Sequence, residues 1–316
     1  MSTIQQECEA TVADVTGRRG ALLTSRATTG LAATLRALHL PPGSRVMLPV
    51  MLCANVVHAI RAAHLQPLFV DILPACSGFG IDLHKAEDLA RNDTNIKVLL
   101  IVPLFGGEIS SKAQIDFAAQ HGMIAIEDAA QSAPQSPTSI NPQPRTIISI
   151  YSFGSGKIAD AGGGGAIVTD DLNLLDQIKS ELASTRDLSI TAAAITKSLA
   201  NLDTKQAERR NLAAEYRQRL NFAGIEHPAG ELPLWKYSIV LGSKQQRDTI
   251  TRSLLERGVA VTNLYTPLSR WFDHPHDWGK SQFPRAWVVS QRIINLPLWP
   301  PQEDRLQAVM AAFQAL

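Results

Sequence analysis

Two rhythms of apolar and polar positions alternate along the first half of the chain. Short β-type runs over residues 21–24, 46–49, 68–71, 97–103 and 123–128 predict strands. Between them, apolar residues at three- and four-residue spacing predict helices over 31–38, 55–64, 82–91 and 111–121, after a surface helix over 4–18. The 97–103 run is uninterrupted, the pattern of a strand buried on both faces. Strands alternating with helices predict an α/β fold on a mainly parallel central sheet. Two more strand-like runs flank a glycine-rich stretch between Ile148 and Thr169. Beyond Thr169 the pattern changes. Helices are expected over 170–184, 188–200, 201–220, 244–257, 286–294 and 303–316, with strands over 236–241 and 259–264. This mix predicts a large domain over 1–200 and a smaller α+β domain over 201–316. Residues 267–284 read as one long irregular loop.

Composition narrows the class. The 316 residues are 45% hydrophobic, ample for a large core. The net charge is +1 and no block of like charge occurs, so a nucleic-acid or membrane-surface footprint is not indicated. No apolar stretch approaches the roughly 18 residues that span a bilayer, and the first ten residues lack the basic and apolar regions of a signal peptide. Cys8, Cys53 and Cys76 are odd in number and show no CxxC spacing, which argues against a disulfide framework or zinc site. A soluble protein of the reducing cytoplasm is expected. His274 and His276 alternate across Pro275 with no carboxylate at metal-site spacing, and read as a surface loop.

Four places carry candidate chemistry. The first is Lys157, set among small residues in Ser152-Phe-Gly-Ser-Gly-Lys157 and followed by Gly162–Gly165. A lysine so unencumbered serves as a Schiff-base nucleophile, a phosphate ligand or a solvated charge. Gly154-Ser-Gly-Lys-Ile-Ala159 formally matches the dinucleotide pattern, but that pattern needs a helix to begin within the turn. Glycine costs about 1 kcal/mol per helical position, so four in a row forbid one. A P-loop fails as well, since Tyr151 and Ile158 stand where Gly and Ser/Thr are required.

The second place is the turn Ser25-Arg-Ala-Thr-Thr-Gly30, with Ala27, Thr28 and Thr29 where a helix opens. It reads either as an anion site on free helix amides or as simple hydroxyl capping. The third is Asp128, at a strand's carboxyl end, where ligands of such sheets bind. It could hold a cationic heterocycle nitrogen, with Gln131 donating to a neighbouring oxygen, or could cap a helix. The fourth is Cys53, just past the 46–49 strand, where a free cysteine is more often a small buried hydrophobe than a chemical group. An anion turn, a carboxylate and a free lysine on one sheet form the inventory that pyridoxal phosphate requires.

The residues also resemble a known family. Ser25-Arg-Ala-Thr-Thr-Gly-Leu is similar to the phosphate turn of the DegT/DnrJ/EryC1/StrS family of pyridoxal-phosphate-dependent sugar aminotransferases. Leu68-Phe-Val-Asp resembles its PVFVDID strand, and Ile126-Glu-Asp-Ala-Ala-Gln131 its IEDAAQ signature. Ser152 through Thr169-Asp resembles its lysine segment, and Asn295-Leu-Pro-Leu-Trp-Pro its late LPLHP stretch. The resemblance implies fold type I, with Lys157 bonded to the cofactor and shuttling the substrate proton, and Asp128 paired with the pyridine nitrogen. It places Gln131 near the ring hydroxyl and Cys53 over the ring. Thr28, Ser152 and the Ala27 backbone would meet the phosphate, with Thr29 in the same turn. It implies a homodimer with the site at the subunit interface, and transfer of an amino group from an amino acid, glutamate being expected, to a keto sugar, nucleotide sugar or related polyol. Another pyridoxal phosphate reaction (elimination, decarboxylation or racemisation) and a catalytically silent subunit are the alternatives. The chain departs from the family in three respects: Ala27 replaces a glycine, Cys53 an aromatic residue, and no Asn-Tyr-Arg segment precedes the charged helix.

Overall fold

The computed structural model describes residues 3–107, 109, 111–136, 147–182, 188–266, 278–298 and 303–314. Residues 184–187 and the histidine-bearing part of the 267–284 loop lie outside them. The chain runs α1 (Thr3–Thr16), β1 (Gly20–Thr24), α2 (Ala27–Ala37), β2 (Arg45–Pro49), α3 (Ala54–Ala62), β3 (Gln66–Val70), α4 (Leu83–Asn92), β4 (Ile96–Ile101) and α5 (Lys112–Gln120). It continues with β5 (Ile124–Asp128), β6 (Ile148–Ser152), β7 (Gly165–Thr169), α6 (Leu172–Glu181), α7 (Ser189–Ala200) and α8 (Leu202–Arg219). The last elements are β8 (Lys236–Val240), α9 (Lys244–Glu256), α10 (Trp278–Gln282), α11 (Pro284–Arg292), β9 (Ile293–Pro297) and α12 (Glu303–Phe313).

Seven strands form one sheet in the order β1-β7-β6-β5-β4-β2-β3. Only β7 runs against the others. Side chains that alternate along a strand reach opposite faces, and the core divides accordingly. Val98 and Leu100 of β4 pack with residues of α2, α3 and α11, whereas Leu99 and Ile101 pack with residues of α4 and α5. Further along that second face, Cys8 and Val12 of α1 and Ile195 of α7 pack on Ala166 and Val168. The result is a sheet covered on both sides, as a central strand without polar alternation requires.

The remaining strands, β8 and β9, pair antiparallel and carry α8, α9 and α12 around Tyr216, Tyr237, Ile250 and Phe313. Two expectations are corrected here. The helix expected over 286–294 ends at Arg292, and Ile293–Pro297 is a fully buried strand. Tandem β-branched Ile293-Ile294 suits a pleated surface, and β8 needs a partner for its backbone. The strand expected over 259–264 reduces to a single bridge between Thr262 and Asn295. Asp71 fastens this part of the chain to the large sheet. Its buried carboxylate accepts from the backbone N–H groups of Arg285 and Ala286, at the start of α11, and from Lys85 Nζ at 2.6 Å.

Candidate active site

Six segments end or turn at one edge of the large sheet, the carboxyl end of its parallel strands. Ser25 and Arg26 follow β1, Cys53 follows β2, Asp128 ends β5, Ser152 ends β6, and Lys157 follows it. Gly162–Gly164 lead into β7, whose reversed direction starts it at the same edge. Together they line a cavity of about 360 Å³. Of the expected site residues, Ala27, Thr28, Cys53, Asp128, Gln131, Ser152 and Lys157 all border it. Thr29 does not border it and is exposed.

The turn after β1 is shorter than the sequence suggests, and α2 already begins at Ala27. Its N-cap is Arg26, in an extended conformation with no side-chain capping bond. Hydroxyl capping is therefore absent, and the first-turn amides of α2 face the cavity without a side-chain partner. The Arg26 guanidinium has no hydrogen-bond or ion-pair partner among the described residues. Gly165 explains how β7 fits under this turn: a Cβ there would lie 2.5 Å from the Ala27 nitrogen. Gly162–Gly164 make a bent approach to β7, which starts at Gly165, and no helix begins there, so both nucleotide-loop motifs are excluded by the fold.

Asp128 caps no helix. Its Oδ1 accepts from the Ala130 N–H at 3.2 Å, while Oδ2 has no hydrogen-bond partner among the described residues. Burial raises its pKa above the usual carboxylate value, against the opposing pull of the Ala130 N–H and the charge of Lys157. Burial likewise lowers the Lys157 pKa, with Asp128 resisting. Gln131 is engaged on both ends of its amide. It accepts from the Phe105 N–H at 2.7 Å and donates to the Tyr265 hydroxyl at 3.1 Å. Cys53 is half-buried at the N-cap of α3, where it lines the cavity and packs against the core behind it.

Two aromatics beside the site escaped the sequence reading. Tyr265 borders the cavity and stacks on Phe105 with ring centroids 6.0 Å apart. It is placed by Asn295, whose Oδ1 accepts from Leu264 N–H and Thr262 Oγ1 and whose Nδ2 donates to Ser238 Oγ and the Leu264 carbonyl. Trp235 lies against Lys157, its ring centroid 4.2 Å from Nζ. The available signal was an aromatic immediately flanking each of two expected strands, too common a pattern to single either out.

The family model for the DegT/DnrJ/EryC1/StrS aminotransferases matches residues 3–185 and 183–314. The chain belongs to that family. A GDP-perosamine synthase from Caulobacter vibrioides is 24% identical over 286 residues, 83% of this chain and 76% of that protein. A pleiotropic regulatory protein from Geobacillus stearothermophilus is 25% identical over 303 residues, covering 86% of this chain and 78% of its own length. Among solved structures, NtdA from Bacillus subtilis with bound cofactor PMP superposes with a TM-score of 0.86 at 23% identity, over 100% of this chain and 77% of that one. The α/β architecture is thus that of the aminotransferases of this family, and the chain is an aminotransferase by descent. No helix among the described residues is long and apolar enough to cross a membrane.

Proposed function

We propose that this aminotransferase uses pyridoxal phosphate to move an amino group from an amino acid, with glutamate the expected donor, to the keto group of a sugar or nucleotide sugar. The observation that carries the reading is the convergence of an uncapped helix N-terminus, a half-buried carboxylate and a half-buried lysine on one cavity. The cofactor's chemistry fits this donor set. Free α2 amides with the Thr28 and Ser152 hydroxyls suit a phosphate. The Oδ2 of Asp128, without a hydrogen-bond partner among the described residues, suits a protonated ring nitrogen, and Gly162 and Gly163 leave open space where a Cβ would stand. When bound, the cofactor supplies an electrophilic aldehyde carbon and an electron-withdrawing ring.

The chain's own residues do the rest. Lys157 would hold the cofactor through its amine and, when free, would carry the proton at the donor's Cα. Its lowered pKa raises the fraction of neutral amine available for that transfer. Asp128 would hold the ring nitrogen protonated, which would favour negative charge developing at Cα. Cys53 and Tyr265 border the space the ring would occupy, and Gln131 holds Tyr265 from behind.

We further propose a cytoplasmic homodimer with large and small domains meeting near residue 200. Ile190, 89% exposed, supports the dimer: its neighbour Thr191 abuts Gly164 at the cavity edge, so a second subunit covering this surface would reach the site. The name of the Geobacillus relative favours a second, regulatory reading without catalysis. The assembled lysine, carboxylate and helix terminus weigh against it. A visible spectrum of the protein with pyridoxal phosphate, before and after a panel of amino donors, decides. Lysine-bound absorbance that a donor abolishes supports amino transfer. Absorbance that no donor alters points to another reaction type, and no absorbance at all leaves the silent reading.

A further inference from the structure

We propose that Trp235 is a positioning residue for Lys157, its indole face seating the lysine's ammonium whenever that amine is not covalently engaged. The proposal deepens the aminotransferase reading. The ring centroid lies 4.2 Å from Lys157 Nζ, within the range of a cation–π contact. Among the described residues Nζ makes no hydrogen bond or ion pair, so the ring is its close partner, and Asp128 acts on it only through the field.

The seat is built from both ends. The Trp235 Nε1–H donates to the carbonyl of Gly156, the residue before the lysine, at 2.7 Å. That loop is itself tied down, since the Lys157 N–H donates to the Gly154 carbonyl and the Asp160 carboxylate accepts from the N–H groups of Gly156 and Gly162. The Trp235 backbone is held from the opposite side. Its N–H donates to the Phe105 carbonyl at 2.7 Å, and its carbonyl accepts from the buried Arg209 guanidinium at 3.0 Å. Gly106 admits this approach only because it lacks a side chain, as a Cβ would fall 2.6 Å from the Trp235 nitrogen. A tryptophan serving merely as filler would not need its indole N–H and both backbone groups committed in this way.

A ring face suits this duty better than a carboxylate. A hydrogen-bonded carboxylate would lock the ammonium and keep its proton. The π face offers electrostatic support without an acceptor that competes for N–H, so the amine can lose its proton and swing away. Lys236, with Nζ 5.6 Å from the same centroid, adds a second cation whose charge disfavours protonated Lys157.

The test reads the amine without the cofactor. Wild-type protein freed of cofactor, Trp235→Leu and Trp235→Phe are treated with formaldehyde and cyanoborohydride across a pH series, and methylation of the Lys157 peptide is followed by mass spectrometry. The midpoint of each profile reports the charge preference of the amine, and the plateau reports access. Loss of the π face in Trp235→Leu should lower the midpoint, giving a neutral fraction roughly fivefold larger near neutral pH. Trp235→Phe, which keeps a face but loses the Gly156 bond, should stay within about twofold of wild type. If Trp235→Leu does not fold, Trp235→Met replaces it. A midpoint that stays or rises in the ring-free variant overturns the proposal, as does an equal shift in Trp235→Phe, which would assign the effect to the Gly156 bond. The wild-type spectrum with pyridoxal phosphate tests the aminotransferase reading separately, because the methylation profile involves no cofactor.

Discussion

The cavity has two unlike walls. One comes from the large sheet and holds Thr28, Asp128, Ser152 and Lys157, each at a strand end or one short turn beyond it. The other comes from the C-terminal part of the chain, where Tyr265 lines the cavity and Trp235 lies against Lys157; neither is in a regular strand or helix. The sheet wall is fixed by local backbone, because a strand in register delivers its last residue to a defined place. The second wall is fixed by long-range polar contacts: Asn295 for Tyr265, and Arg209 with Phe105 for Trp235. The proposed function puts chemistry on the first wall and positioning on the second, and substitutions should separate the two.

The largest effect belongs to Lys157. Lys157→Ala should lower amino transfer by at least about 1000-fold, since both the covalent anchor and the proton carrier are lost. Its cofactor should remain bound but lack the lysine-linked absorbance. Far-ultraviolet circular dichroism should be unchanged, because a half-buried lysine whose ammonium makes no hydrogen bond among the described residues contributes little to the fold. Loss of folding together with activity would break the division between the walls.

Asp128→Asn comes next, with turnover reduced about 100-fold. The amide keeps the shape and can still accept from Ala130, but it removes the negative charge that a cationic ring nitrogen requires. The reduction should fall on kcat with the donor KM little changed, as steady-state kinetics can show. A purely higher KM would mean that Asp128 binds rather than activates.

The same division explains what could be read from the sequence. The α/β alternation and nearly every strand of the sheet were legible because buried parallel strands are short, apolar and bounded by turns. Lys157 and Asp128 were legible because each stands in a stretch whose neighbours leave few alternatives. Strand β9 was missed because Ile293-Ile294 continue the apolar spacing of α11, and only pairing with β8 decides the switch. Of the expected turn residues Thr29 alone stands off the cavity, because α2 starts at Ala27 and leaves Thr28 on the cavity and Thr29 exposed to solvent. Trp235 and Tyr265 depend on partners 26 to 134 residues away in the chain, a separation no local pattern encodes.

The second wall should respond in stability before chemistry. Asn295 is fully buried and uses both ends of its amide to hold Leu264, Thr262 and Ser238. Asn295→Ala leaves the Leu264 N–H unpaired in a dry place, which should cost about 2 kcal/mol in urea denaturation. Because Tyr265 directly follows the freed segment, the donor KM should rise as well. Tyr265→Phe, which removes only the bond to Gln131, should leave stability nearly intact. If Asn295→Ala proved as inactive as Asp128→Asn at equal stability, Asn295 would belong with the chemistry rather than with its support.

The smallest effect is a pH signature confined to the sheet wall. Burial raises the Asp128 pKa above 3.8, so just above that pH the folded protein holds a proton that the unfolded chain has released. Stability therefore falls as pH rises through this window, and the contribution is fully present only below it. Lys157 has the opposite slope: burial lowers its pKa below 10.5, the folded protein sheds its proton first, and stability rises as pH climbs toward 10.5. Between the two windows both groups are charged and incompletely solvated, so the site is least stabilising where it works. Surface carboxylates such as Asp93 and Asp248 are lowered by their cationic neighbours and give a slope opposite to that of Asp128, which the wild-type curve alone would mix in. Subtracting the Asp128→Asn curve removes them. The wild-type minus variant difference, from urea denaturation of cofactor-free protein, should decline as pH rises above about 4 and then level. A difference that climbs from the same starting point would show that the charge of Lys157, rather than burial, governs the carboxyl.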